Sequence, residues 1–160
     1  MAVTVRSATP TDAAEIAAVY LASRKAFLPF APLAHSDAGV RRWITEKLIP
    51  SGNVVVAENE SKIVGMMATS TDNGVSWIDH LYLSPEAVGE GTGTSMLKFA
   101  KDRLGPPMRL HTFQQNTRTR RFYERHGFLP ISFSDGMDNE EQCPDVLYEF
   151  STQPNEAEQD

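Results

Sequence analysis

Residues 3–8, VTVRSA, alternate apolar and polar, the period of a half-buried strand. After it Asp12 stands as a helix cap, with Glu15 three positions on as its capping-box partner. Ile16, Val19, Tyr20, Ser23 and Phe27 then recur at helical spacing, and Pro29 and Pro32 end the run. Ser36 or Asp37 can cap a second helix, with Val40, Trp43, Ile44 and Leu48 on one face and Pro50-Ser51-Gly52 closing it. NVVVAE (53–58) and KIVGMMATS (62–70) read as strands joined by a hairpin, and Thr71-Asp72-Asn73-Gly74 is a strong turn before the strand VSWIDHLYL (75–83). A glycine-rich loop leads into a helix carrying Gly93, Leu97, Ala100 and Leu104 on one face, stopped by Gly105-Pro106-Pro107. MRLHTF (108–113) is a strand. Asn116 or Thr117 caps the helix RTRRFYERH, Gly127 ends it, and LPISF and DVLYEF are two last strands.

This order predicts an α/β chain of the α+β type. It has one domain, a mixed central sheet of six to seven strands and about four flanking helices. The domain spans 1–151, and the polar stretch 152–160, STQPNEAEQD without its first residue, reads as an acidic disordered tail.

Composition narrows the function classes. The chain has 160 residues and a net charge of −6, with nine of its 21 acidic residues at or beyond Asp135. The remaining 12 face 15 Lys and Arg, so the body is close to neutral and nothing forms the basic stripe of a nucleic-acid binder. The acidic end is either a solvated surface or a wall that draws in a cationic substrate. No apolar run is long enough to span a membrane, and the first residues do not read as a signal peptide. Cys143 is the single cysteine, so neither an internal disulfide nor a four-cysteine zinc site is available, and a cytoplasmic location is expected. His35, His80, His111 and His126 lack metal-ligand spacing, and no metal is expected.

The candidate chemistry begins in the loop VGEGTGTS (88–95). Glycines before a helix allow the backbone to approach an anion, and the free N–H groups and helix dipole attract it. The loop is not a P-loop, because the lysine is missing, and its G-x-G-x-G spacing is not the dinucleotide fingerprint. Residues 78–97, IDHLYLSPEAVGEGTGTSML, resemble motif A of the GNAT superfamily of N-acetyltransferases. Residues 116–128, NTRTRRFYERHGF, look like that family's second signature. The two motifs stand at the family separation, and the element order matches along residues 3–150.

The resemblance implies that acetyl-coenzyme A lies in a V between two splayed parallel strands, WIDHLYL and MRLHTF. Leu81, Tyr82 and Leu83 would border the pantetheine, the backbone of Val88, Gly89, Glu90, Gly91, Thr92, Gly93 and Thr94 would hold the pyrophosphate, Asn116 would meet the pantetheine arm, and Phe122 and Tyr123 would flank the thioester end. Tyr123 resembles the family tyrosine that protonates the departing thiolate. The acceptor, a small-molecule or peptide amine, would lie against the first two helices and the last strands. Phe27, Trp43, His111 and Glu141 are the named candidates there, with Phe30, Phe133, Tyr148, Glu140 and Asp145 nearby. Edge strands at the C-terminal end are candidates for a homodimer contact.

Two positions depart from the family pattern: Val88 stands for Gln or Arg, and Glu90 for Arg or Lys. Glu90 is expected to point to solvent, with Arg118, Arg120 and Arg121 as sources of positive charge. The general base is open between Asp79 and His80. Strict alternation groups Trp77, Asp79, Leu81 and Leu83 on one face and Ile78, His80 and Tyr82 on the other, which favours Asp79, while a bulge would exchange the roles. Cys143 has no adjacent histidine to activate it. The alternative to an enzyme is a catalytically weak domain that binds acyl-coenzyme A as a sensor or partner-binding module.

Overall fold

A computed structural model describes residues 3–31 and 35–151. The expected tail at 152–160 lies outside the described residues. Seven strands form one sheet: β1 (Thr4–Ser7), β2 (Val54–Asn59), β3 (Lys62–Asp72), β4 (Val75–Leu83), β5 (Met108–Phe113), β6 (Leu129–Ser134) and β7 (Asp145–Phe150). Their spatial order is β1-β2-β3-β4-β5-β7-β6, and every neighbouring pair is antiparallel except β4–β5. Four α-helices accompany it: α1 (Ala13–Phe27), α2 (Asp37–Trp43), α3 (Thr92–Arg103) and α4 (Thr117–Arg125).

The predicted α+β architecture, a mixed sheet with one parallel pair, is the one observed. Each sheet face buries its own core. On one, α1 and α2 cover Val54, Val56, Ile63, Met66 and Ala68; on the other, α3 and α4 cover Ala57, Met67, Ile78, Leu110 and Tyr148. The β2 and β3 residues divide between the two cores by alternation, as strands covered on both sides must.

Two local readings are corrected. The capping box at α1 sits one turn earlier than expected: Thr9 is the cap of a short 3-10 turn, and the Asp12 carboxylate accepts from Thr9 N at 2.8 Å. Arg6 also donates to Asp12 at 2.8 Å, and this pairing holds the Asp12 carboxyl down at about 2. Glu15, freed from capping, accepts instead from Ile63 N of β3 at 3.2 Å.

The second correction concerns β4. Its register with β3 runs Met67↔Leu81, Ala68↔His80, then Thr69↔Ile78, so Asp79 is an extra, unpaired residue. A period of two is broken there. Ile78 therefore shares the α3/α4 core with Leu81 and Leu83, while His80 and Tyr82 pack on the α1 side. The expected grouping of Trp77, Asp79, Leu81 and Leu83 on one face does not hold.

Candidate active site

The parallel pairing of β4 with β5 is confined to Ser76↔Met108 and Trp77↔Arg109. Beyond it β4 stays paired to β3 as far as Leu83, and β5 to β7 as far as Phe113, but not to each other. The two inner edges diverge, and β4 leaves roughly 17 Å of backbone from Ile78 to Leu83 without a partner on that side. The bulge at Asp79 stands at the point of divergence. A cleft of about 920 Å³ occupies the gap. Because the gap passes through the sheet, the α1 side and the α3/α4 side both open into it.

On the α3/α4 side the cleft meets the N-terminus of α3. Gly91 caps α3 with φ +86, a left-handed conformation that a side chain resists, and no side chain caps the helix. The amides of the first turn therefore face open space at the positive end of the helix. Val88, Gly89, Gly91, Gly93 and Thr94 line the cleft here. Glu90 and Thr92 do not; they border a separate, smaller recess of about 260 Å³ on the other side of the loop, with Lys62 and Glu86. The exposed Glu90 carboxylate thus points away from the cleft, while its loop keeps the backbone path.

Gly93 has a different reason from Gly91. Its φ is ordinary, but a Cβ there would lie 3.2 Å from two carbons of the Phe122 ring and 3.6 Å from Leu83 Cδ1. The first turn of α3 can approach α4 this closely only at a glycine.

Positive charge comes from one face of α4. Arg118, Arg121 and Arg125 recur at helical spacing and all line the cleft. Arg120 turns away, donating to the Tyr148 hydroxyl at 3.0 Å and to Gln114 O at 3.3 Å. Arg125 was not singled out in the sequence, although its i, i+4 relation to Arg121 is legible there. Asn116 caps α4 through Thr119 N at 3.5 Å and lines the cleft beside Phe122.

Tyr123 is 5 % exposed, packed against Phe122 and Phe128, and it borders the cleft. Its hydroxyl has no hydrogen-bond partner among the described residues. Burial, with Tyr82 adding to it, pushes its pKa well up, so the group stays protonated at neutral pH.

Asp79 and His80 both line the cleft but differ in setting. Asp79 is exposed at the bulge. His80 sits among aromatic rings, 5.3 Å from Trp43, 5.7 Å from Tyr20 and 6.1 Å from Tyr82. Burial pushes its pKa down, the nearby Asp79 charge opposes this, and Arg24 reinforces it.

On the α1 side the lining comprises the end of α1 and its following turn, Phe27 to Phe30, with His111 and Phe113 of β5. His111 stacks on Trp77 at 5.5 Å, and Phe30 meets Phe113 edge-on at 5.9 Å. Trp43 lies behind His80, outside the lining. Tyr148 is fully buried, and Phe133 is exposed on the edge strand β6.

The acidic candidates lie outside the cleft lining. Glu141 accepts from the buried Arg24 at 3.3 Å, Glu140 lies 3.4 Å from His35 Nε2, and Asp145 accepts from Asn139 at 3.3 Å. Arg24 also donates to Tyr82 Oη at 3.0 Å and Ala31 O at 2.8 Å, tying the β6–β7 loop to α1. The Cys143 thiol lies between two carbonyl acceptors, Glu141 O at 3.4 Å and Phe30 O at 3.5 Å, with one proton for either. Among the described residues no cluster of three or more His, Cys, Asp or Glu could hold a metal ion, and no helix is long and apolar enough to cross a membrane.

The profile of the acetyltransferase (GNAT) family matches residues 16–128, which include the gap, its glycine loop and α4. No curated protein sequence matches the chain. Among solved structures, PaiA N-acetyltransferase from Thermoplasma acidophilum in complex with coenzyme A is 20 % identical, with a TM-score of 0.74 over 95 % of this chain and 100 % of that one. Apo-form YjaB from Escherichia coli is 22 % identical, TM-score 0.74, over 94 % and 98 % of the two chains. A GNAT-family acetyltransferase from Bacillus cereus is 15 % identical, TM-score 0.76, over 96 % and 99 %. At these identities the likeness is one of fold.

Proposed function

Because the chain belongs to the acetyltransferase (GNAT) family, we propose that it is an N-acetyltransferase that uses acetyl-coenzyme A to acetylate a primary amine. The observation that carries this reading is the unpaired gap between β4 and β5, with uncapped helix amides and three arginines on one side and a protonated, partnerless Tyr123 beside it.

The residues present suit that cosubstrate. Backbone amides from Gly89 to Thr94, with Arg121 and Arg125, would hold a pyrophosphate, and the free edge at Leu81–Leu83 would take the amides of an extended arm between Asn116 and Phe122. Bound there, acetyl-coenzyme A would supply an activated acetyl group as its thioester. Tyr123 would present a proton to a leaving group, since its hydroxyl is protonated at neutral pH, borders the cleft and has no hydrogen-bond partner among the described residues. Asp79 is exposed on the cleft as an acceptor for the amine proton, directly or through water. His80 is held neutral by burial and so keeps a lone pair for the same task. The bulge that admits both leaves Asp79 on the open side and His80 in the aromatic packing, and Asp79 is the base in this account. The open outer edge of β6, with Leu129, Ile131 and Phe133 exposed, is where a homodimer contact would form.

The test is release of free coenzyme A thiol across a panel of primary amines, with Tyr123→Phe as control. Amine-dependent release that falls about 10²–10⁴-fold in Tyr123→Phe supports the reading. Coenzyme A binding without release on any amine would favour a sensor or partner-binding domain.

A further inference from the structure

The α1 side of the cleft has a consistent chemistry. Phe27 and Phe30, where α1 ends, face Phe113 and His111 of β5, and Phe30 and Phe113 are already in edge contact at 5.9 Å. His111 and Phe113 alternate with the buried Leu110, so both stand on the α1 side of the sheet. Of the described residues that line the cleft, Asp79 is the only carboxylate, while Arg118, Arg121 and Arg125 each contribute a positive charge. Arg118 lies 5.7 Å from the Phe27 ring, at the edge of the aromatic wall itself. Outside the lining, Glu141 is paired with the buried Arg24, while the exposed Glu140 lies beside His35 and Asp145 accepts from the neutral amide of Asn139.

From this we infer that the acceptor is a monoamine with an aromatic or bulky apolar body, and not a polyamine or a lysine-rich basic peptide. The inference rests on the amine-acetylating reading above and specifies its substrate class. A single ammonium matches the single carboxylate, Asp79, at the bulge. An apolar body of phenyl size is matched by three phenylalanine rings, which accept another ring in edge or offset contact. A second positive charge would find no second carboxylate among the described residues that line the cleft, and it would lie beside the Arg118 guanidinium at the aromatic wall. The wall is also held in place: Arg24 of α1 donates both to Ala31 O, next to Phe30, and to Glu141 of the β6–β7 loop, and Cys143 Sγ lies 3.5 Å from Phe30 O. In the overall reaction the bound ammonium first gives one proton to Asp79 and on to solvent; the amine nitrogen then bonds the acetyl carbon, the C–S bond breaks, and the second proton lost by nitrogen balances the one gained by the thiol.

The experiment compares 2-phenylethylamine with spermidine as acceptors at fixed acetyl-coenzyme A, and measures 2-phenylethylamine binding to the coenzyme A-loaded protein by calorimetry. Expected are a kcat/KM at least about 10-fold higher for 2-phenylethylamine and saturable binding of it. Phe30→Ala, and independently Phe113→Leu, should raise its KM about 5- to 100-fold, with coenzyme A affinity and any spermidine KM unchanged. Equal or better use of spermidine, or no 2-phenylethylamine binding, overturns the assignment. So does a Phe30→Ala effect confined to the ranking of acetyl against phenylacetyl donors, because the wall would then hold an acyl chain. Failure of thiol release with every amine, with coenzyme A still bound, would instead overturn the catalytic reading on which the inference stands.

Discussion

Replacing Gly93 with alanine probes how the glycine loop is fitted to α4. A Cβ at Gly93 would sit 3.2 Å from Phe122 Cε1 and Cζ, against an ordinary carbon contact of about 3.5–4.0 Å. The ring must yield by a few tenths of an ångström, and overpacking of this kind costs about 1–3 kcal/mol. The helix gains at most about 1 kcal/mol from replacing glycine, so the net destabilisation is about 0–2 kcal/mol. Phe122 transmits the shift, because its ring lies 5.2 Å from Tyr123 and 4.6 Å from His126. Gly91→Ala is the comparison. Nothing lies within 4 Å of a Cβ there, but φ is +86, and a left-handed residue with a side chain costs about 1–2 kcal/mol. Each variant is combined with Phe122→Leu, and stabilities are read from urea unfolding. The Gly93–Phe122 pair should couple by about 0.5–2 kcal/mol, with the double variant recovering stability, whereas the Gly91–Phe122 pair should be additive within about 0.5 kcal/mol. Additivity at Gly93, or equal coupling at both glycines, would refute the distinction between a packing glycine and a conformational one.

Glu90→Arg should tighten coenzyme A binding, more at low salt than at high, since it replaces a negative charge beside the loop; weaker binding in calorimetry would show that Glu90 has a specific task. Asp79→Asn should lower kcat/KM and remove the acidic limb of its pH profile, while leaving coenzyme A affinity unchanged; a retained limb would transfer the base to His80. His80 titrates below its ordinary value because it is buried, so below about pH 6.5 the unfolded chain binds a proton that the folded one does not, and stability should fall with pH through that window; His80→Gln should flatten the fall in thermal unfolding between pH 7 and 5, and an unchanged slope would contradict the burial argument. Asp12 is held at about 2 by Arg6, so its contribution is present above the ordinary carboxylate range and lost as pH falls toward 2; Asp12→Asn should lower stability at pH 7 and reduce its acid dependence over that lower range only.

Whereas the parallel pair followed only from the resemblance to a known family, the glycine loop and the capped α4 were legible in the sequence because each rests on local chemistry or on regular spacing. The bulge was not, since one extra residue in VSWIDHLYL leaves the same string of residue types and changes only their faces. Asp79 and His80 therefore could not be placed by alternation, and Ile78 joined the opposite core. Glu141 was equally illegible as a partner of Arg24, because 117 positions separate them and only the fold brings them together. Arg125 stood in plain helical register with Arg121, but helix charges usually face solvent, and nothing local marks the ones that border a cleft.

The most direct test of the central claim is amide hydrogen exchange with and without acetyl-coenzyme A. A cosubstrate bound as proposed would lie along the free edge of β4 and on the first turn of α3, so protection should rise at Leu81–Leu83 and Gly89–Thr94, and at Asn116–Tyr123 at the start of α4. Protection confined to the recess near Lys62 and Glu86, or no change at a concentration that saturates binding, would contradict it.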